Sequence, residues 1–298
     1  MYKRQGDTMP KIVEYFKENG IKPAFVLDEG GAIMSNLPMG IKTPFAMVAV
    51  SEKGWANLKL TASGKTAKHS AKQTKSVTAP DKLVAALSNL KATPMNSVIT
   101  PCLEGMLSRF SSYIPAPLNV VLGNLKYFRA PVKKVMASNP DTAAMISSQI
   151  SLTSIEAPLE NGLTPETATA TLKVRIAPHN TLDDVIAHIK EVVGEDIEIE
   201  VQNASLPAPI SDHNTDTFRY IESTIKKVFP DVGVAPFILN AGTDSRHFAS
   251  ICKEIYRFGA FRLDDELFAT VHSANERMPI KDFMKCIDFY EEFVGGME

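Results

Sequence analysis

Apolar positions along the chain recur with two different periods, and the change from one to the other divides it. Within Met9–Asn19, Ile12, Val13 and Phe16 fall at helical spacing, and Gly20 can end that helix. "KPAFVLDEGG" (Lys22–Gly31) is apolar in its first half and halts on two acids and two glycines, so it reads as a buried strand and a tight turn. Ala46–Val50 is a second short apolar run. From Trp55 the period becomes two. Trp55, Asn57 and Lys59 alternate with Ala56, Leu58 and Leu60, the pattern of a half-exposed strand. A helix over Asp81–Leu90 and a strand over Gln149–Ile155 follow. Thr167–Ile176 is Thr- and Val-rich and alternates strongly, as a strand does. Thr181 then caps a helix over Leu182–Val193, with Asp183 and Asp184 in its first turn, and "DIEIEVQN" alternates again.

The series from Trp55 to Asn203 is β-α-β-β-α-β, the split βαβ or ferredoxin-like plan, which can bury its own core. Inside it, Pro94–Ser147 is extra and is broken by Pro101, Pro115, Pro117, Pro131 and Pro140, so short helices are expected there. Pro207–Pro209 reads as a linker. Beyond it, Thr215–Phe229 is an amphipathic helix, and "VAPFILNAGTDSRHF" is a strand, a loop and a helix start. "FATVHSANERMPI" reads as a strand end and a loop, and a last helix spans Ile280–Val294. Neither flanking α/β segment could bury a good core alone. The expected organisation is one α/β domain, residues 1–51 and 207–298, interrupted by an inserted domain at 52–206 with a helical insertion at about 94–147.

The 298 residues are 44% apolar and 22% charged, the composition of a globular chain. A net charge of −2 gives no basic field, and the lysines at Lys65, Lys68, Lys72 and Lys75 have no aromatics among them, so no nucleic-acid partner is expected. Three cysteines, Cys102, Cys252 and Cys286, stand far apart without a CxxC, which argues against a disulfide framework or a cysteine-held zinc. No run has the length of a membrane span and the N-terminus has no secretory h-region, so no membrane partner and a cytoplasmic location are expected.

Candidate chemistry sits at strand ends. Asp28 closes an apolar run, and Asp before glycine is also a turn former. His272 ends another run and reads equally as a packed or capping residue, with Asn275 and Glu276 behind it. In "NAGTDSRHF", free N–H groups at a helix start and a nearby Arg would suit a carboxylate or phosphate; the alternative is a self-capping loop. No GxSxG elbow supports a serine nucleophile. His69, in a lysine-flanked loop, and Arg175, ending a strand, carry little signal alone.

Taken in order, "FVLDEGGAI", "GKTAKHSA", "NGLTPETATATLKVRIAP", "NAGTDSRHF" and "VHSANERMPI" resemble the M20 family of zinc metallopeptidases over about Lys11–Phe293. The branch resembled is that of the Gly-X carboxypeptidases, or carboxypeptidase S, and the related N-acyl amino acid hydrolases. The resemblance implies a mixed-sheet α/β zinc-peptidase catalytic domain interrupted by a ferredoxin-like βαββαβ lid that also makes a homodimer. It implies a di-zinc site hydrolysing a C-terminal amide bond of small peptides or N-acyl amino acids. By motif, Asp28 and His272 each match a terminal ligand of one zinc. His69 matches a lid histidine that reaches a partner's site to hold the oxyanion. Asn161 and Arg175 match lid contacts to the substrate carboxylate, and Gly242, Thr243, Ser245 and Arg246 match the segment that receives it.

The family pattern also needs a His-x-Asp motif, a bridging Asp and a Glu-Glu pair ahead of the first helix. This chain has no histidine before His69 and no acidic pair before Asp28–Glu29. It therefore reads as the C-terminal portion of such an enzyme, with an incomplete zinc ligand set and no hydrolysis expected of it alone. A non-catalytic dimerisation or binding module is the competing expectation.

Overall fold

The computed structural model describes residues 8–35, 37–64, 77–159 and 164–297. The chain divides into two compact units. The first comprises Met1–Glu52, Ile99–Val135 and Ala208–Glu298, and the second comprises Lys53–Val98 and Met136–Pro207.

The first unit is built on a mixed six-stranded sheet of β1 (Val26–Asp28), β2 (Ile33–Met34), β3 (Phe45–Glu52), β8 (Gly233–Leu239), β9 (Ile255–Arg257) and β10 (Arg262–Leu263). The strand order is β1-β9-β3-β2-β10, with β8 also pairing with β3. β1 and β9 run parallel, as do β3 and β8, whereas β2 and β3 are antiparallel. All eight residues of β3 are buried, which is why Phe45–Val50 is an unbroken apolar run rather than an alternation; the strand closes on the buried polar pair Ser51 and Glu52. Two further helices, α8 (Asp216–Val228) and α10 (Ile280–Gly295), pack together and contribute Phe218, Ile221, Ile225, Phe289 and Phe293 to a core that also holds Val48, Tyr256 and Phe258. The unit is completed by α1 (Thr8–Glu18), α3 (Pro101–Ser111), α4 (Leu118–Gly123), most of α5 (Leu125–Ser138) and α9 (Asp265–Thr270).

The second unit is an antiparallel sheet ordered β5-β6-β4-β7, from β4 (Gly54–Ser63), β5 (Gln149–Glu156), β6 (Thr167–Ile176) and β7 (Ile197–Ser205). The alternation read from sequence is the burial pattern observed. Ala56, Leu58, Leu60 and Ala62 of β4 and Ala168, Ala170, Leu172 and Val174 of β6 face a core shared with α2 (Ala79–Ala92) and α7 (Leu182–Val193). Both helices start on a capping box, Thr78 with Asp81 and Thr181 with Asp184. A short helix, α6 (Pro140–Ile146), precedes β5.

Two expectations are corrected. The helical stretch at about 94–147 does not belong wholly to the inserted unit. Ile99–Val135 clusters with the outer segments, because α3 packs on β8 and buries Cys102, Leu103 and Phe110, with Phe110 edge-on to Phe45 of β3 at 4.7 Å. The residues "FAT" of Phe268–Thr270 end a helix, not a strand. Asp264 accepts a hydrogen bond from Leu267 N at 2.8 Å, and Asp265 and Glu266 occupy the first turn, so the local capping chemistry prevails over the short apolar run.

Candidate functional site

Asp28 ends β1, and its neighbour in register on β9 is Arg257. The glycines after it are required by space. Gly30 has φ 127°, and a Cβ there would meet the Leu239 side chain at 2.6 Å. A Cβ on Gly31 would lie 2.1 Å from the Met47 carbonyl oxygen and 2.7 Å from that of Arg257. The two acids stand on so tight a turn because β3 and β9 pass directly against its backbone.

The Asp28 carboxylate is acceptor for two backbone N–H groups, Glu29 at 2.8 Å on Oδ1 and Ser245 at 2.8 Å on Oδ2. It is thereby joined to the loop and 3-10 turn Asp244–Ser250, more than two hundred positions away in the chain. A second carboxylate holds the same loop from the other side. Glu52, the last residue of β3, is fully buried. It accepts from Thr243 N at 2.7 Å and from Arg246 Nε at 2.5 Å, and Arg257 Nε lies 3.6 Å from it. Thr243 and Ser245 share a hydroxyl hydrogen bond of 2.7 Å, and Arg257 Nε also donates to Thr243 Oγ1 at 3.3 Å. Arg257 is fully buried, and its Nη2 has no hydrogen-bond partner among the described residues. Burial lowers its pKa, opposed by the charges of Glu52 and Asp28 beside it.

Two acids and two arginines thus lock one loop to the ends of three strands. The N–H groups of Thr243 and Ser245, which a helix start would offer to an anion, are engaged by protein carboxylates. Gly242 is exposed, and the Arg246 guanidinium packs beside it: a Cβ there would make ordinary van der Waals contact with Arg246 Cζ at 3.6 Å.

Glu52 and Arg257 were absent from the candidates read in the sequence, although the signal was available. A lone acid closing "FAMVAVSE" and a lone arginine in "EIYRFG" are polar residues at the ends of apolar runs, as Asp28 is. Of the remaining candidates, His272 lies in the first unit on an exposed turn with φ 59°. Arg175 lies in the second unit, half-buried near the end of β6, opposite Trp55 and Gln149. His69 and Asn161 fall outside the described residues.

The donor set bears directly on a metal. Among the described residues, no three His, Cys, Asp or Glu side chains come together in a way that could hold an ion. Asp28 keeps lone pairs beyond its two N–H contacts, but one carboxylate, even together with the exposed imidazole of His272, falls short of the three protein ligands a catalytic zinc ordinarily has. The described residues alone do not fit a metal site.

The sequence profile of Peptidase family M20/M25/M40 matches residues 9–295, and the chain belongs to this family. It is 34% identical over 95% of its length to the N-fatty-acyl-amino acid synthase/hydrolase PM20D1 of Bos taurus. It is 31% identical over 96% of its length to the probable carboxypeptidase S-like 2 of Dictyostelium discoideum. The chain spans 57% of the first relative and 56% of the second. An M20 family metallo-carboxypeptidase from Sulfolobus solfataricus shares the fold, with a TM-score of 0.59 at 17% identity over 95% of this chain and 66% of that one. Among the described residues, no helix is long and apolar enough to cross a membrane.

Proposed function

We propose that this chain forms part of a zinc-dependent M20 hydrolase that cleaves an amide bond next to a free carboxylate. N-acyl amino acids are the substrate class that the likeness to PM20D1 favours, while the likeness to a carboxypeptidase S-like protein favours peptides cleaved at their C-terminal residue, for which Gly-X dipeptides are our candidate. The reading is carried by one observation, the anchoring of the Thr243–Arg246 loop to Asp28 through the Ser245 N–H. In this reading Asp28 and His272 are terminal ligands of two zincs in the assembled site. Gly242 and Arg246 face the substrate carboxylate, with Thr243 and Ser245 fixing their loop. Arg175 and Asn161 add contacts from the inserted unit, and His69 serves the partner's site in a homodimer formed through that unit.

In the same proposal, the 298 residues by themselves do not turn over substrate, because the donors they bring number one per metal. The test is hydrolysis of an N-acyl amino acid and a Gly-X dipeptide with added zinc, with and without chelator. No turnover is expected of the chain alone. A chimera in which it follows the N-terminal part of a PM20D1 relative should hydrolyse at least one class and lose activity on Asp28→Asn or His272→Ala. Chelator-sensitive turnover by the chain alone would overturn the incomplete-site reading, and an active chimera indifferent to both substitutions would overturn the ligand assignment.

A further inference from the structure

Between Glu104 and Asp141 the sequence holds five basic residues and no acid, in a chain of net charge −2. Two of the five are neutralised in place, Arg109 by Glu222 at 2.7 Å and Arg129 by Glu104 at 3.3 Å. The other three, Lys126, Lys133 and Lys134, find no carboxylate among the described residues and all stand exposed on α5. This helix buries Leu125 and Met136 yet leaves Tyr127 71% and Val135 69% exposed. At about 100° per residue, Tyr127 and Val135 share one side of the helix, with Lys134 beside Tyr127 and Lys126 and Lys133 on its flank. The preceding α4 adds Val120, 54% exposed.

Lysines without a carboxylate partner, Lys126 lying 4.9 Å from the centroid of the Tyr127 ring, are interleaved with exposed apolar groups and suit a surface that is both anionic and apolar just beneath. A polyanion would satisfy the lysines and leave Val120, Tyr127 and Val135 in water. We propose that α4 and α5 dock peripherally on an anionic lipid bilayer. Tyr127, Val135 and Val120 enter the headgroup boundary, and the lysines stay at the phosphates. Adsorption of this kind needs no spanning helix, so the lack of a long apolar run does not bear on it. The proposal stands independently of the hydrolase reading.

The test is co-sedimentation of the full chain with phosphatidylcholine vesicles, with and without a third of phosphatidylglycerol. Partition should be at least about tenfold higher on the anionic vesicles and should fall with salt. Lys126→Glu, Lys133→Glu and Lys134→Glu together should lower it about a hundredfold, at about fivefold per lysine. Tyr127→Ser with Val135→Ser, which leaves the charge unchanged, should lower it about tenfold. Should circular dichroism show lost helicity in the triple variant, the triple Lys→Gln variant replaces it with the same expected direction. Equal partition on both vesicles, or no loss in the lysine variants, would overturn the proposal. So would a serine pair without effect alongside full competition by heparin, which would mark a polyanion surface instead.

Discussion

Removing Glu52 should loosen the first unit far more than an ordinary acid-to-alanine change. Its carboxylate holds the Thr243 N–H, at about 1 kcal/mol, and the Arg246 guanidinium, at about 1.5–3 kcal/mol for a bond to a charged group. Both partners are largely shielded from water, Thr243 at 5% exposure. The Arg246 side chain is 9% exposed, and Arg257, the second cation beside Glu52, is 1% exposed. Together these give about 2.5–4 kcal/mol for Glu52→Ala, overlapping the range of about 3–5 kcal/mol for deleting one partner of a buried pair. Glu52→Gln keeps the shape and one acceptor but not the charge, so about half that loss is expected. Native-state hydrogen exchange reads this in the right unit. Amides of β3 and β9 should exchange roughly two to three decades faster in Glu52→Ala, while Glu276→Ala, at an exposed position, should leave them unchanged. Rates in Glu52→Ala within about fivefold of the parent, near 1 kcal/mol, would refute the claim that this acid locks the loop.

Three further outcomes follow from the same geometry. Lys53 is 4% exposed, donates to the Ala144 carbonyl, and has its pKa lowered from 10.5 to about 8 by burial and by the charge of Arg175. The unfolded chain therefore binds more protons between pH 8 and 10.5, and stability rises across that window; below it the penalty is fully present, on the order of 3 kcal/mol. Lys53→Met should stabilise the second unit at pH 7 by up to that amount, with the advantage fading toward pH 10.5. Urea unfolding followed at Trp55, the one tryptophan, measures it, and a pH-independent difference would count against it. Gly31→Ala should cost about 3 kcal/mol or more, because the new Cβ meets two backbone carbonyls, and a thermal melt within about 2 °C of the parent would contradict this. Asp28→Ala frees the Ser245 N–H, so that amide should lose exchange protection by about tenfold while those of β6 do not change.

Legibility differed by the kind of physics involved. The second unit was readable almost to the residue because its sheet has one buried face, so Ala168–Ile176 had to alternate, and because Thr181 and Asp184 announce a helix start in four letters. In the first unit, the unbroken burial of β3 could be seen as an apolar run but not placed in register. β9 and β10 were missed because three- and two-residue strands carry no period. The split of the helical stretch at Val135 could not be read either, since whether α3 packs on β8 or on the inserted unit depends on contacts more than a hundred residues away. Within the candidate site, Asp28 and the Thr243–Arg246 loop stood out by motif. Glu52 did not, because a glutamate beside Lys53 and Gly54 looks like the start of a solvated turn rather than the end of a buried strand.

The most direct test is whether Asp28 and His272 share one pocket. Manganese(II) titrated into the isotope-labelled 298-residue chain would seek any paired donors weakly, whether or not the site is complete. The backbone amides flanking Asp28, Ser245 and His272 should broaden together at the same metal concentration, and Asp28→Asn should abolish all three effects. Broadening at only one of the two donors, or at an unrelated acidic patch with both unaffected, would contradict the account.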